Sequence, residues 1–253
     1  MDIFIIFHKS IFIENYSSFS IAEKRRFLRW VAVNEGIPKI FPPLLSPSCL
    51  IFEHSLPIFD PLLQYANFYQ NSFFFHLAMN PSITQKEYVG FAQYDMNLPA
   101  ELFRTIEAKI LEKGAPTVYG MYPYPFEALY SNPLSEEDWR ELLRLYNSHS
   151  NTNHDFESLK LLPLFLCHTF ILPTSVFLES MEFVRKTVPF CFRKLQWNTR
   201  HLAGTLERII AITISCKILE KKLLDMVHVK GVEHLASQHD ADPLRGLKEG
   251  LQS

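Results

Sequence analysis

The sequence predicts an α/β fold in which a mostly parallel central sheet is flanked by helices and followed by a helical C-terminal part. Short apolar, β-rich runs alternate with helical patterns through residues 2–121, which is typical of a layered α/β sheet. The chain has 253 residues, of which 47% are hydrophobic and 21% charged, enough for a sizeable core. Neither an internal repeat nor a linker interrupts the pattern, so we expect one domain over residues 1–230 and a loosely ordered tail over residues 231–253.

Each predicted strand is a short run rich in β-branched and aromatic residues that ends at polar or turn-forming residues. The first is apolar throughout and is bounded by His8 and Lys9, as expected for a buried strand. The central one stops at Asp95, before a turn and a helix that opens at Pro99. The predicted strands are residues 2–7, 30–34, 49–52, 86–95 and 117–121, with a further apolar run over residues 161–172.

The predicted helices show apolar residues at intervals of three and four, and some carry capping signals. Ser20 and Glu23 predict a capping box, and Asp60 predicts the cap of a long helix. Residues 122–134 hold several prolines and aromatics, which predicts a long loop that acts as a lid or as part of a pocket rim. Residues 148–157 are expected to form a polar loop. The predicted helices are residues 20–29, 60–79, 99–113, 135–146, 173–188 and 199–227.

Composition excludes several classes of protein. The net charge of −2 gives no general attraction to nucleic acid or to acidic membranes. The four cysteines are far apart in apolar settings, which favours buried free thiols and a reducing compartment. No apolar run is long enough to span a membrane, and Asp2 stands where a signal peptide needs a basic residue. We therefore expect a cytoplasmic protein without a transmembrane segment.

Polar clusters interrupt apolar runs at three places along the chain. They are residues 8–9, 93–95 and 168–169. Because the carboxyl ends of parallel strands meet at one edge of a sheet, where ligands bind, we expect these clusters to lie close together. Asp95 at this edge is then a candidate contact for a metal or ligand. The alternative is that Asp95 only caps the turn before Pro99.

A fourth polar feature is the pair Glu207 and Arg208, which lies inside an otherwise apolar helix. Burying a charge is costly unless the charge is paired or used, so this pair is a candidate functional element. The alternative is that the two side chains pair with local charges or tie the helix to the sheet.

Two of these stretches resemble motifs of a family of small GT-A-type glycosyltransferases that build capsular and cell-surface polysaccharides. The stretch GFAQYD at residues 90–95 resembles the family's Gly-hydrophobic-x-x-Tyr strand, and GTLER at residues 204–208 is similar to its late Gly-x-x-x-Glu-Arg helix. The aromatic helix from Asp60 lies where the family carries a similar one. The resemblance covers residues 2–225 and implies a GT-A-like, Rossmann-like fold, with residues 1–230 as one glycosyltransferase-like domain.

The resemblance implies a hexosyltransferase-like enzyme that moves a sugar from a nucleotide-diphosphate donor to a carbohydrate or glycan acceptor. It implies Mn²⁺ or Mg²⁺ at Asp95, because these ions favour oxygen ligands and offset the charge of the leaving diphosphate. Transfer with inversion needs a general base for the acceptor's hydroxyl proton, with Glu207 as the first candidate and His168 as the second. The other residues of the implied donor site are His8, Lys9, Asn34, Gln93, Tyr94, Arg200 and Arg208. Of these, the first three would contact the nucleotide and the arginines a phosphate.

Other function classes stay open at this point. Other GT-A enzymes carry an Asp-x-Asp pair, and the family often has a basic residue after its strand tyrosine, whereas this chain has the single acid Asp95. A binding protein of the same fold, which holds a nucleotide sugar without turnover, is therefore the alternative. A metal-dependent phosphoesterase would need clustered Asp and His residues, and the sequence shows none. P-loop, GxGxxG, HExxH and GxSxG motifs are also absent.

Overall fold

A seven-stranded sheet lies at the centre of the computed structural model, which describes residues 1–8, 11–33, 49–65, 67–112, 116–220, 223 and 225–235. The described strands are β1 (Asp2–Phe7), β2 (Leu28–Ala32), β3 (Leu50–Phe52), β4 (Tyr88–Gln93), β5 (Met96–Asn97), β6 (Thr117–Gly120), β7 (Phe170–Pro173), β8 (Asp225–His228) and β9 (Glu233–His234). The described helices are α1 (Ile21–Phe27), α2 (Leu62–Tyr65), α3 (Asn71–Met79), α4 (Ala100–Leu111), α5 (Glu136–Ser150), α6 (Phe156–Lys160), α7 (Thr174–Lys194) and α8 (Leu202–Leu219).

The strands of the main sheet follow the order β3-β2-β1-β4-β7-β6-β8, and β5 pairs with β9 in a separate two-stranded sheet. β1 is parallel to β2 and β4, β2 is parallel to β3, and β6 is parallel to β8. Among the described strands of this sheet only β7 runs the opposite way, since it is antiparallel to both β4 and β6. The predicted mostly parallel α/β sheet is therefore confirmed.

Both faces of the sheet are covered, because β1 contributes alternate side chains to two apolar cores. Phe4 and Ile6 belong to the core that includes α3, α5, α7 and α8. Ile3, Ile5 and Phe7 belong to the core that includes α4. Side chains alternate between the faces of a strand, so a strand that is apolar throughout must be buried on both sides. No helix in the described ranges is both long and apolar enough to cross a membrane.

Capping signals locate the starts of two helices correctly. α1 begins after Ser20, whose hydroxyl accepts from the amide of Glu23 while the Glu23 carboxylate accepts from the Ser20 amide. α5 begins after Ser135 with the same arrangement, formed with Asp138. The predicted ends are wrong: α1 gives way to β2 at Leu28, and α5 continues to residue 150, into the predicted polar loop.

The long helix predicted over residues 60–79 is two helices, α2 and α3. Asn67 and Tyr69 adopt left-handed backbone conformations, with φ of 58° and 49°, and residues with positive φ end a right-handed helix. The apolar spacing continues across this break, so periodicity alone does not reveal it.

The chain returns to the sheet after α8, where the sequence predicts helix up to residue 227. α8 ends at Leu219, and β8 adds to the sheet beside β6. The run MVHV at residues 226–229 is β-rich, and pairing with a neighbouring strand realises that preference. Residues 231–235, predicted as the start of a loose tail, include β9, which pairs with β5. Residues 236–253 of the predicted tail lie outside the described residues.

Candidate functional site

The carboxyl ends of β1 and β4 bring two of the predicted polar clusters together. The two strands are parallel neighbours with Ile6 opposite Gln93, so the residues after each strand share one edge of the sheet. There the imidazole of His8 meets the ring of Tyr94 edge-on, with ring centroids 5.2 Å apart. We call this edge, where Asp95 also lies, the carboxyl edge.

The third cluster, residues 168–169, lies at the carboxyl edge because of the direction of β7. Since β7 is antiparallel to β4 and β6, its amino end lies there, and residues 168–169 precede it. His168 is only 1% exposed, and its ring centroid lies 4.4 Å from that of Phe74. Burial lowers the pKa of His168 to about 3, and its Nδ1 has no hydrogen-bond partner among the described residues. This apolar environment favours a packing role over the predicted role as a base.

Asp95 is fully buried and faces a residue from the far end of the chain. Its Oδ2 lies 3.2 Å from Nε2 of His234, whose side chain is 24% exposed. Its backbone carbonyl accepts a hydrogen bond of 2.9 Å from the amide of Leu235. The following helix, α4, has Pro99 as its N-cap residue and no side-chain cap. No side chain caps that helix, and the contacts of Asp95 with His234 and Leu235 join the end of β4 to the C-terminal segment. The alternative that Asp95 caps the turn before Pro99 stays a prediction.

Residues 229–235 cross the carboxyl edge, and we name them the C-terminal strap. The strap begins where the amide of Val229 donates to the carbonyl of Gly120 at 2.9 Å, directly after β8. It ends in β9, whose pairing with β5 sets His234 opposite Met96. His234 is a site residue that the sequence did not predict, because it falls in the stretch 231–253 that was expected to be a loosely ordered tail. The β-rich run at residues 225–229 is the signal that leads the chain to this edge.

Glu207 lies on α8 and reaches the segment before β7. Its Oε1 accepts a hydrogen bond from the amide of Cys167, and its Oε2 lies 3.8 Å from Nη1 of Arg208. Burial raises the pKa of Glu207, while the Cys167 amide and the Arg208 charge act in the opposite direction. Cys167 and His168 both have left-handed backbone conformations, with φ of 55° and 51°. Such strain persists only where surrounding structure supports it, and the Glu207 carboxylate is one support.

The guanidinium of Arg208 is used within the fold. It donates to the carbonyls of Gly204 at 2.9 Å and Ala128 at 3.3 Å, and to Oγ of Ser131 at 2.6 Å. These bonds tie α8 to the short 3-10 helix Phe126–Ser131 in the predicted pocket-rim loop. Arg208 thus ties its helix to this loop rather than to the sheet, and the phosphate contact stays a prediction.

Two tyrosines of the same loop connect the two sides of the site. The hydroxyl oxygen of Tyr124 lies 3.3 Å from Sγ of Cys167, whose amide binds Glu207. The ring centroid of Tyr122 lies 5.3 Å from that of Tyr124 and 6.2 Å from that of His234. Both tyrosines are half-buried. The sequence placed them at a pocket rim, but composition alone did not single them out from the other aromatics.

Two residues of the implied donor site are less accessible than expected. Gln93 is 8% exposed, and its amide donates to Oε1 of Gln70 at 3.3 Å. Tyr94 is fully buried, with its ring stacked on Phe12 at a centroid distance of 6.0 Å. Both therefore build the floor of the carboxyl edge.

The remaining residues of the implied donor site differ in position. His8 is half-buried beside Tyr94. Arg200 is exposed on the short 3-10 helix Thr199–His201. Lys9 and Asn34 lie outside the described residues.

A divalent cation at the carboxyl edge would have few protein ligands. Within the ranges that the structure describes, no group of three or more His, Cys, Asp or Glu side chains is arranged for a metal ion. Asp95 and His234 offer one carboxylate and one imidazole, 3.2 Å apart. Magnesium in phosphate sites is commonly held by one or two carboxylates together with substrate phosphates, and manganese also favours oxygen ligands. The two side chains therefore fit a cation that a bound diphosphate helps to hold.

No protein-family model matches the sequence, and neither does any curated protein. The structure is similar to the apo structure of the bifunctional glycosyltransferase WbbM, with a TM-score of 0.53 and 10% sequence identity over 91% of this chain. This chain spans 44% of the length of the WbbM chain. The apo structure of mouse xyloside xylosyltransferase 1 aligns with 91% of this chain and 86% of its own, at 12% identity and a TM-score of 0.36. The likeness to WbbM confirms the predicted GT-A-like fold.

Proposed function

We propose that this protein is a nucleotide-sugar-dependent, hexosyltransferase-like glycosyltransferase that moves a sugar from a nucleotide-diphosphate donor to a carbohydrate acceptor. The observation that carries the proposal is the buried Asp95 carboxylate beside His234 at the carboxyl edge. Open α/β sheets bind ligands outside the carboxyl ends of their strands. The assignment of a capsular or cell-surface polysaccharide as the acceptor class rests on the motif resemblance alone.

The donor would bind with its diphosphate near Asp95 and His234, which would hold Mn²⁺ or Mg²⁺. When bound, such an ion offsets the negative charge that develops on the leaving nucleoside diphosphate. The position of His8 beside Tyr94 at the carboxyl edge supports binding of an aromatic nucleotide base here. Arg200 is exposed, and its phosphate contact stays a prediction from the sequence. The nucleotide contacts of Lys9 and Asn34 stay predictions from the sequence.

We assign the role of general base to Glu207. Burial raises its pKa, which brings the carboxylate closer to the basicity that proton transfer near neutral pH requires. As the acceptor's hydroxyl oxygen bonds to the anomeric carbon, the bond from that carbon to the diphosphate breaks, and the hydroxyl proton passes to the Glu207 carboxylate. The rings of Tyr122 and Tyr124 support an acceptor on this side, because their amphipathic rings suit a sugar.

A thermal-shift screen of UDP-, GDP-, dTDP- and CMP-sugars, each with and without Mn²⁺, tests the proposal. A ligand that binds only the native state stabilises it by about 2.7 kcal/mol at about 100 times its Kd. We expect one nucleotide class to raise Tm, and Asp95→Asn to abolish the rise. Glu127→Gln removes one negative charge at an exposed position and is the matched control. If no donor shifts Tm in either condition, the proposal is wrong.

A second candidate is a protein that binds a nucleotide sugar without transferring it. The single acid after β4 and the engagement of the Glu207 carboxylate by the Cys167 amide favour it. Release of nucleoside diphosphate from the donor in the presence of a glycan acceptor mixture separates the two candidates. A transferase releases it, and Glu207→Gln loses this release while keeping the donor-induced rise in Tm. A binding protein shows the rise without release.

A further inference from the structure

A groove of about 590 Å³ lies between α3 and α7. Its walls are mainly apolar, with Leu63, Phe68 and Phe75 on one side and Met181 and Val188 on the other. The volume falls in the range of about 300–1,000 Å³ that is typical of small-molecule sites. Among its lining residues in the described part of the chain, none belongs to the candidate site.

Charged side chains stand among the apolar residues that line this groove. They are Asp60, Glu182 and Arg185. Glu182 and Arg185 are exposed on α7, and in the described part of the chain neither forms an ion pair. Asp60 is half-buried, and its Oδ1 accepts a hydrogen bond from the amide of Leu62 at 3.0 Å. The groove therefore offers two carboxylates that accept hydrogen bonds and one guanidinium that donates them.

The groove approaches the carboxyl edge at one end. Phe68 lines the groove, and the next residue, Tyr69, lies against His8 with ring centroids 6.5 Å apart. Apolar surface also extends outside the groove, since Ile58 and Leu62, which flank Asp60 in the sequence, are 53% and 70% exposed. The part of the groove lined by Phe68 therefore adjoins the edge where the donor is proposed to bind.

We propose that this groove binds the hydrocarbon chain of a glycolipid, with the sugar head group at the charged residues. An apolar groove removes a hydrocarbon chain from water, which drives binding. Two carboxylates and one guanidinium match a head group of hydroxyls, which both donate and accept hydrogen bonds. Their sum of one net negative charge disfavours an anionic head group.

The role of this glycolipid as the acceptor rests on the proposed transferase function. With its chain in the groove and its first sugar at the charged residues, a lipid with a longer saccharide would extend that saccharide past Tyr69 to the carboxyl edge. Binding of the chain itself is independent of the transfer reaction, so the two can be tested apart.

The test is binding of dodecyl maltoside below its critical micelle concentration to the full chain, measured by isothermal titration calorimetry. We expect saturable binding to one site and no binding of maltose, which lacks the chain. Ala78 lines the groove, and Ala78→Trp fills it with an indole ring. We expect affinity to fall about tenfold or more, which corresponds to about 1.4 kcal/mol. Ala108→Trp adds the same ring at an exposed position of α4 and should leave affinity unchanged.

Further variants keep the outcome decisive. Ala78→Phe replaces Ala78→Trp if the larger ring prevents folding, and Arg185→Gln tests the head-group contact at an exposed position. Absence of saturable binding, or equal affinity in Ala78→Trp and Ala108→Trp, would overturn the proposal. Tighter binding of dodecylphosphocholine than of the maltoside would overturn the proposal that the head group is a sugar. The nucleotide-induced rise in Tm and its loss in Asp95→Asn are separate readouts, so failure of one proposal is distinguishable from failure of the other.

Discussion

The carboxyl group of Glu207 links the stability of the site to its proposed chemistry. Burial raises its pKa, so the folded protein holds this proton more tightly than the unfolded chain does. The stability that Glu207 contributes is therefore complete below the pKa of the unfolded chain and is lost as pH rises through the folded pKa. Glu207→Gln is neutral at every pH and keeps an oxygen for the Cys167 amide. We expect the variant to gain stability relative to the wild type as pH rises from about 4, the ordinary range of a glutamate, through the raised pKa of Glu207 in the folded protein.

Glu207→Ala tests how much the hydrogen bond from the Cys167 amide to Glu207 contributes to stability. It leaves the Cys167 amide without its acceptor on α8, and an unsatisfied buried group costs about 1–3 kcal/mol. This bond is only partly buried, so we expect Glu207→Ala to be about 1–2 kcal/mol less stable than Glu207→Gln. The left-handed conformations of Cys167 and His168 lose a support at the same time.

Urea unfolding of the wild type and both variants at several pH values measures these differences. If the difference in free energy of unfolding between Glu207→Gln and the wild type does not change with pH, the raised pKa of Glu207 is refuted. Equal stability of the Gln and Ala variants would refute the support of Cys167. Under the proposed function, Glu207→Gln also loses release of nucleoside diphosphate while its stability is maintained or improved, which separates a catalytic loss from unfolding.

Three further predictions concern buried positions. His168→Phe should remove a loss of stability that the wild type shows as pH falls from about 6.5 to about 3, because only the unfolded histidine takes up a proton in that range. Urea unfolding at each pH would show a slope that is steeper in the wild type than in the variant by up to about 1.4 kcal/mol per pH unit. Gly120→Ala should destabilise by about 1–3 kcal/mol because its Cβ would overlap the ring of Phe165, and an unchanged Tm would contradict this. His76→Ala should cost about 3–5 kcal/mol at neutral pH, since the fully buried Glu53 carboxylate would lose its contact of 2.7 Å with Nδ1 of His76 and keep the hydrogen bond from the Gln64 side-chain amide; a Tm within error of the wild type would exclude that role.

The sequence predicted those strands and helices that depend on contacts between residues close together in the chain. The apolar run of residues 2–7 predicted a buried strand because both faces of the sheet are covered. The capping box at Ser20 predicted the start of α1, because its hydrogen bonds join residues three apart. The break at Asn67 and Tyr69 was not predictable in this way. The two residues with left-handed backbone are not glycines, so the sequence does not mark the break. Neighbouring structure maintains it, since the side-chain amide of Asn67 donates to Oγ1 of Thr199 at 2.8 Å.

The residues of the candidate site also differ in whether the sequence could predict their role. The position of Asp95 was predictable because it lies two residues after the end of an apolar strand, and the carboxyl ends of such strands converge. The role of Arg208 was not, since its partners Ala128 and Ser131 lie about eighty residues earlier in a loop that the sequence describes only by composition. Its charge within an apolar helix correctly indicated a buried use, but both a phosphate contact and a structural tie satisfy that condition.

The topology of the sheet explains why distant residues meet at the carboxyl edge. β8 is parallel to β6, so the chain leaves β8 at the edge where β4 also ends. The sheet order places β6 and β7 between β8 and β4, so the C-terminal strap must pass both of them to bring His234 to Asp95. The amino end of β7 lies along that path and is preceded by Cys167, whose amide binds Glu207. The antiparallel direction of β7 therefore places the proposed base on the same edge as the Asp95 carboxylate, because a parallel β7 would begin, with Cys167 before it, at the opposite edge.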